Sequence, residues 1–339
     1  MAEGASKKMM AALQYSKYGE GATGLKHVEI PVPTPKKDEI LVKIEAAAIN
    51  PVDWKLQKGM LKVIYSIKFP YIPCTDVSGE VVSVGPGVTG FSQGDKVISW
   101  LDLKRGGGFA QYAVAGIKYT AKRPSGVSAV EAAALPVAGL TAYQSLRDSG
   151  GLKYDGSYKG NVLITAASGG VGTYAVQLAK LAGAHVTATC GARNVDLVRS
   201  LGADEVLDYK TPEGAALKSP SGKKYDVVLQ CATTMPWSTF QPVLSSKGKV
   251  IDLTPSFGVM LTSAFKFLTM SKQKMTIFVM SANAKDLGEL AELVNEKKVK
   301  SLIDSEFPLD KAEDAWAKSI ESHATGKIVV TNKDEAASY

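Results

Sequence analysis

Apolar positions recur along this chain in two rhythms. Up to about residue 125 they form short runs with period-two alternation, as expected for half-buried strands. Met9–Tyr15, Glu39–Ala48, Val77–Val84 and Phe109–Ala115 read as strands, and 91–98 as a turn feeding another. Gly85-Pro86-Gly87 closes one run and Gly106-Gly107-Gly108 opens another. Pro31, Pro33 and Pro35 lack the N–H that a sheet ladder needs, so Pro31–Pro35 reads as an extended connector. Short strands at this spacing predict a small barrel.

From Ser128 the rhythm changes. Helical stretches at Ala129–Ala134, Thr141–Leu146, Tyr174–Ala182 and Asn194–Leu201 alternate with apolar runs. The runs are Asn161–Ala166, His185–Cys190, Glu205–Asp208, Asp226–Gln230, Val250–Leu253 and Met275–Met280. Strands alternating with helices predict a parallel, doubly wound sheet, so the fold class is α/β. The 339 residues give room for about two domains. No internal repeat or low-complexity tract interrupts them.

Composition narrows the picture. With 45% hydrophobic and 22% charged residues, the chain can bury a core and is not disordered. Cys74, Cys190 and Cys231 are few and far apart, which argues against a disulfide framework or a Cys-rich zinc site and fits a reducing compartment. The net charge of +7 comes from basic residues spread along the chain, so nucleic acid is not an expected partner. No apolar run is long enough to span a bilayer. The first ten residues carry neither a long apolar region nor an arginine, so no secretory signal or cleaved transit peptide is evident.

The segment that carries chemistry is 162–172. A strand, Val162-Leu163-Ile164, runs into Ala167-Ser168-Gly169-Gly170-Val171-Gly172, and a helix opens behind it. Small residues let the backbone approach a pyrophosphate, and the helix N-terminus offers free N–H groups. Ala167 stands in the first glycine position, but strand before and helix after are the context this motif needs. An acid about 20 residues on would select NAD through its ribose hydroxyl. Here the next strand ends at Cys190, followed by Gly191, Ala192 and Arg193. Arg193 can pair with a 2′-phosphate, so NADPH is the expected cofactor.

Ala166–Gly172 and Leu201-Gly202-Ala203-Asp204 resemble the medium-chain dehydrogenase/reductase superfamily. Asn50-Pro51-Val52-Asp53, 73–82 and Gly326–Val330 resemble its quinone oxidoreductase branch, and 50–55 and 312–319 its plant chloroplast-envelope members. The resemblance implies a GroES-like β-barrel catalytic domain built from both chain ends (1–130 and 284–339) and a Rossmann NADPH-binding domain at 131–283. It implies a nicotinamide lying in the cleft. Zinc members of the superfamily carry a Cys and a Gly-His-Glu where this chain has Asn50–Asp53 and Thr75-Asp76, and His27, His185 and His323 are isolated. No metal is therefore expected, and reduction of a polarised C=C bond or a quinone is favoured over alcohol oxidation.

The resemblance also suggests roles. Asn50 and Asp53 would order the active-site loop, and Lys55 would be the cation near the ribose or the developing enolate. Thr141 would touch the nicotinamide from a helix start, and Tyr209 would stack near the adenine. Cys231 and Leu253, and with them Phe278, Val279 and Met280, end later strands, where open α/β sheets bind ligands. Gly326 and Lys327 would close on the cofactor. The substrate expected is a small apolar enone or quinone, because 61–71 is an apolar loop placed near the site. An NADPH-binding protein with little turnover, attached to nucleic acid or a membrane, is the alternative. A second copy of the chain and a membrane surface are the remaining partner expectations. The compartment implied is the chloroplast envelope, with the cytoplasm as alternative.

One further stretch stands out. Phe257, Met260, Leu261, Ala264, Phe265 and Leu268 share a helix face, with Lys266, Lys272 and Lys274 on or beyond it. An amphipathic helix usually faces its core, so packing against the sheet, the cleft or a second subunit is expected first. Docking on an anionic membrane is the alternative.

Overall fold

The structure, a computed structural model, describes residues 8–332, except Thr234, Pro255 and the side chain of Phe257. The chain divides into two compact units. The first comprises Met1–Val137, Ala282–Asn295 and Ser301–Tyr339, and the second Ala138–Ser281 and Glu296–Lys300.

The first unit is strand-rich. β1 (Met9–Gln14) and β2 (Lys26–Pro31) form an antiparallel ribbon. β3 (Glu39–Ala48), β4 (Asp76–Val84), β5 (Lys96–Trp100), β6 (Tyr112–Gly116) and β7 (Thr120–Lys122) belong to a seven-stranded sheet. Helix α1 (Pro51–Gln57) follows β3, and α2 (Ala129–Ala133) follows β7. Early in β3, Ile40, Val42 and Ile44 point into the main core. A register shift against β4 between Ile44 and Ala46 then exchanges the faces, since one extra residue moves every later side chain across the sheet. Ala47 and Ile49 continue the main core, while Ala46 and Ala48 pack with Ala133 in a smaller cluster.

The second unit contains α3 from Ala138 onward (the whole helix is Pro136–Gln144) and a six-stranded sheet. Its strands are β8 (Asn161–Ile164), β9 (His185–Cys190), β10 (Glu205–Asp208), β11 (Tyr225–Gln230), β12 (Leu244–Asp252) and β13 (Lys274–Ile277). Their order is β10-β9-β8-β11-β12-β13, and every pairing is parallel. Helices α4 (Gly170–Leu181), α5 (Val195–Ser200), α6 (Pro212–Ala215), α7 (Trp237–Phe240) and α8 (Phe257–Leu268) connect them. This is the doubly wound parallel sheet that the alternating pattern predicts. Back in the first unit, α9 (Ala284–Asn295), β14 (Ile303–Pro308), α10 (Ala312–Glu321) and β15 (Lys327–Thr331) complete the chain. β15 pairs with β3, so both ends of the sequence build one sheet.

Several expected boundaries move. Helix α4 starts at Gly170, four residues before Tyr174, because its glycine-rich opening turn is held by the tight turn before it rather than by helix propensity. Thr141 lies inside α3 and not at a helix start; the helix begins at Pro136, whose missing N–H costs nothing in a first turn. β13 stops at Ile277, leaving Phe278, Val279 and Met280 beyond it. Apart from Phe257, whose side chain lies outside the described residues, the stripe on α8 does not pack on its own sheet. Val259 is the buried side chain, and Ser263 bonds the carbonyl of Met275 at 2.8 Å, so the face they share is the packed one. Met260, Leu261, Phe265 and Leu268 point into solvent.

Candidate active site

In the first unit, α1 carries the predicted catalytic residues. Asn50 is its N-cap, and the Asn50 backbone N–H donates to Asp53 Oδ2 at 2.8 Å. Pro51 follows at the first helical position, where its fixed φ suits the helix. The helix is anchored from behind by Trp316 of α10, whose indole N–H donates to Gln57 Oε1 at 2.9 Å; both side chains are fully buried.

Around that cap lies a buried polar cluster. Asn50 Nδ2 donates to Asp76 Oδ2 at 2.8 Å. The ammonium of Lys327, from the first residue of β15, donates to the Ile49 carbonyl at 3.0 Å and to Asn50 Oδ1, and lies 4.0 Å from Asp76 Oδ2. The Val137 amide is the second hydrogen-bond donor to Asp76 Oδ2, at 3.0 Å. Asn50, Asp53, Asp76 and Lys327 are all at most 3% exposed. Burial pushes the Asp53 carboxyl up to about 7, against the Asn50 N–H, and Asp76 up to about 6, against Lys327 and Asn50. Burial also lowers Lys327, while the two carboxyls oppose that shift. Burial thus holds both carboxyls above the ordinary carboxylate range, and the field of the Lys327 ammonium opposes it. Tyr15 and Thr75 keep unpartnered hydroxyl oxygens nearby in sequence or field, and Asp76 Oδ1 is also unpartnered.

Lys55 is not drawn into this cluster. It sits half-buried on α1 with its ammonium 5.6 Å from the Trp54 ring centroid, and it forms no ion pair with Asp53. Gly326 precedes Lys327 with φ +91°, and a Cβ there would meet the Leu302 carbonyl at 2.3 Å. Sequence reasoning placed Lys327 at the cofactor but missed its bonds to Asn50 and its proximity to Asp76. Only the β15–β3 pairing reveals them.

A zinc ion does not fit here. The donor set contains an ammonium, Cys74 turns its sulfur to the Ala48 carbonyl at 3.2 Å, and burial raises its thiol pKa well above normal. Among the described residues no three His, Cys, Asp or Glu side chains converge as a metal group.

The second unit holds the nucleotide candidates. After β8 the chain turns sharply, with Ala166 at φ +48° and the Gly169 amide bonded to the Ala166 carbonyl at 3.0 Å. Gly172 packs against this turn so closely that a Cβ would lie 2.4 Å from the Ala166 oxygen and 2.6 Å from Ala167 Cα. The first turn of α4, at Gly170, Val171 and Gly172, has no acidic residue, and Ser168 and Gly169 lie half-buried before it. The turn is thus shaped for an anion at a helix N-terminus. The close packing of Gly172 behind the turn is the helix–strand packing that a dinucleotide-binding turn needs.

Beside this turn, Cys190, Gly191, Ala192, Arg193 and Tyr209 gather at the ends of β9 and β10. A Cβ on Gly191 would be 3.5 Å from the Tyr209 ring, and the Tyr209 amide donates to the Cys190 carbonyl at 3.1 Å. Arg193 and Tyr209 are exposed. The Cys190 thiol is pushed up to about 11 by burial and by Asp208. Asp208 is a residue that the sequence reading missed. It ends β10 in register with Cys190, and its Oδ1 accepts the Lys210 amide at 3.0 Å.

On the other side of β8, the strand ends are stitched together. Thr165 Oγ1 donates to Gln230 Oε1 at 2.5 Å and accepts from the amides of Cys231 at 2.9 Å and Ala232 at 3.2 Å. The Leu253 amide donates to the Gln230 carbonyl at 3.2 Å. The Phe278 amide donates to the Asp252 carbonyl at 3.0 Å, while Val279 is exposed. Thr141 and Met280 lie half-buried in this unit.

Residues 36–125 match the family described as "Alcohol dehydrogenase GroES-like domain", and residues 201–330 that described as "Zinc-binding dehydrogenase". The chain is 62% identical to the chloroplast envelope quinone oxidoreductase homologue of Arabidopsis thaliana, over 95% of this chain and 98% of that one. It is 33% identical to the chloroplastic NADPH-dependent alkenal/one oxidoreductase of the same plant, over 97% and 81%. The solved structure of the quinone oxidoreductase from Coxiella burnetii superposes with a TM-score of 0.83 at 28% identity, over 96% and 100%. The chain is therefore an oxidoreductase that belongs to the medium-chain dehydrogenase/reductase superfamily, in its quinone oxidoreductase branch.

Proposed function

We propose that this protein uses NADPH to reduce the C=C bond of an apolar α,β-unsaturated carbonyl, or a quinone, without a metal. The observation that carries the cofactor class is the glycine turn at β8–α4 in a sheet ordered β10-β9-β8-β11-β12-β13, since this order reverses beside the turn and makes a dinucleotide crevice. Arg193, beside Gly191 and Tyr209, supports a 2′-phosphate, and Asp208 works against it. The relatives named for quinones and alkenals support the substrate class.

When bound, the reduced nicotinamide supplies a hydride. Adding that hydride to the β-carbon moves the C=C π electrons onto the carbonyl oxygen, and a proton from solvent then completes the α-carbon. The chain's task is to stabilise that oxygen. Lys55 is the half-buried cation that α1 carries for it, since Lys327 is spent on Asn50 and Ile49. The buried cluster holds the Asn50–Asp53 cap, and so the helix that carries Lys55, in one geometry. A screen of enones, enals and quinones with NADPH tests the proposal. Deuteride from labelled NADPH is expected at the β-carbon of an enone; label at the carbonyl carbon, or no turnover with any acceptor, overturns it.

A second reading concerns where the enzyme works. No helix among the described residues is long and apolar enough to cross a membrane. Yet α8 and the turn after it present Met260, Leu261, Phe265, Phe267, Leu268 and Met270 to solvent, with Phe267 84% and Met270 89% exposed. No acid occurs between Asp252 and Asp286, whereas Lys266, Lys272 and Lys274 lie within that interval. An apolar face with a basic border matches an anionic bilayer surface, and the envelope-named relative is consistent with it. A symmetric dimer through the same face would set its lysines against one another. Flotation with phosphatidylcholine vesicles, with and without phosphatidylglycerol, decides the matter. Salt-sensitive binding to the anionic vesicles that Phe265→Glu abolishes supports docking. A dimer that Phe265→Glu dissociates, or no binding at low salt, refutes it.

A further inference from the structure

The second unit contains one buried carboxyl whose partners do not account for it. Asp252 closes β12, in register with Gln230 of β11 and Ile277 of β13, and its side chain is fully buried. Oδ1 accepts from the Thr254 amide at 2.7 Å and lies 3.0 Å from the Thr254 hydroxyl. Oδ2 has no hydrogen-bond partner. The donors around it are already committed. Gln230 Nε2 donates to the Thr233 carbonyl at 3.0 Å, the amides of Cys231 and Ala232 both go to Thr165 Oγ1, and the Phe278 amide goes to the Asp252 carbonyl. A buried carboxylate oxygen with no donor is costly, so it marks a place where a donor from outside the chain is needed.

The sheet order says which donor. Phosphates belong at the β8–α4 turn, and a dinucleotide extends from there in both directions along the carboxyl ends of the strands. Tyr209 and Arg193 mark the β9–β10 side for the adenosine half, which leaves the β11–β13 side, where Asp252 sits, for the nicotinamide half. The donors on that half are the ribose hydroxyls and the nicotinamide carboxamide, and the carboxamide NH2 alone offers two N–H donors.

We propose that Asp252 reads the nicotinamide carboxamide, accepting one of its N–H bonds on Oδ2. The inference rests on the nucleotide reading given under Proposed function and adds a side-chain determinant for the nicotinamide half. Burial raises the Asp252 carboxyl while the Thr254 hydrogen bonds lower it, and an N–H donor on Oδ2 would act in the same lowering direction.

The test needs no turnover. Dissociation constants of the full chain are measured by calorimetry for NADPH and for its 3-acetylpyridine analogue, in which a methyl group replaces the carboxamide NH2. Losing a hydrogen bond to a charged group predicts that the wild type prefers NADPH by about 10- to 100-fold. Asp252→Asn keeps the Thr254 contacts on one side and presents an NH2 where Oδ2 was, so donor would face donor. In this variant and in Asp252→Leu the preference falls to within about threefold, and the analogue binds as before. A wild-type preference retained by Asp252→Asn overturns the inference, as does equal weakening of both nucleotides. Failure of the wild type to bind NADPH at all overturns the cofactor reading itself.

Discussion

Replacing Lys327 by Met tests the buried cluster most directly. The substitution keeps an apolar stem of similar length and removes the ammonium. It orphans two buried acceptors, the Ile49 carbonyl and Asn50 Oδ1, and leaves Asp53 and Asp76 without their cation. Unsatisfied buried groups cost about 1–3 kcal/mol each, and breaking a buried ion pair about 3–5 kcal/mol, so the expected loss is about 3–5 kcal/mol. For a unit of this size that lowers Tm by roughly 6–20 °C. The loss should depend on pH, with a definite sign. Asp53 and Asp76 hold protons more tightly folded than unfolded, which favours the fold at low pH and ceases to as pH rises through about 6 to 7. Lys327 limits that decline by stabilising the ionised forms. Without it the carboxyls titrate higher still, so the destabilisation is smaller at about pH 5, where both are protonated, than at about pH 8. Adding Asp76→Asn to Lys327→Met should recover part of the loss at the higher pH. Urea melts of the wild type and both variants across that range measure it. An equal loss at every pH would show that the lysine contributes packing alone, and the electrostatic account would fail.

Gly172→Ala places a Cβ against three backbone atoms that cannot move cheaply, so NADPH affinity should fall at least about tenfold while the fold persists; an unchanged titration contradicts the turn's role. Arg193→Ala should remove most of a preference for NADPH over NADH, a loss of about 1.5–3 kcal/mol, and equal kcat/KM for the two cofactors in the wild type would refute the assignment. Exhaustive chelation should leave activity intact, because an ammonium occupies the would-be donor set; stoichiometric zinc whose removal abolishes activity would show the reverse.

What the residues settle by themselves is local. β3, β9 and β10 occupy the stretches that alternation and apolar runs mark, and the glycine turn stands where strand, small residues and helix follow one another. Period and turn chemistry act over a few residues, so they can be read along the chain. The α8 stripe shows the limit of that reading. Its periodicity identifies a helix with an apolar face but not whether that face meets a core, and here Val259 packs while Phe265 does not. The charged centre shows it more strongly. Asn50, Asp76 and Lys327 are brought together by the antiparallel pairings of β3 with β4 and with β15, across 277 residues between Asn50 and Lys327. Likewise Asp252 is one more acid in the sequence until parallel neighbours bury it and leave one oxygen without a donor. Desolvation and pairing depend on what surrounds a group in space, and only the tertiary structure decides that.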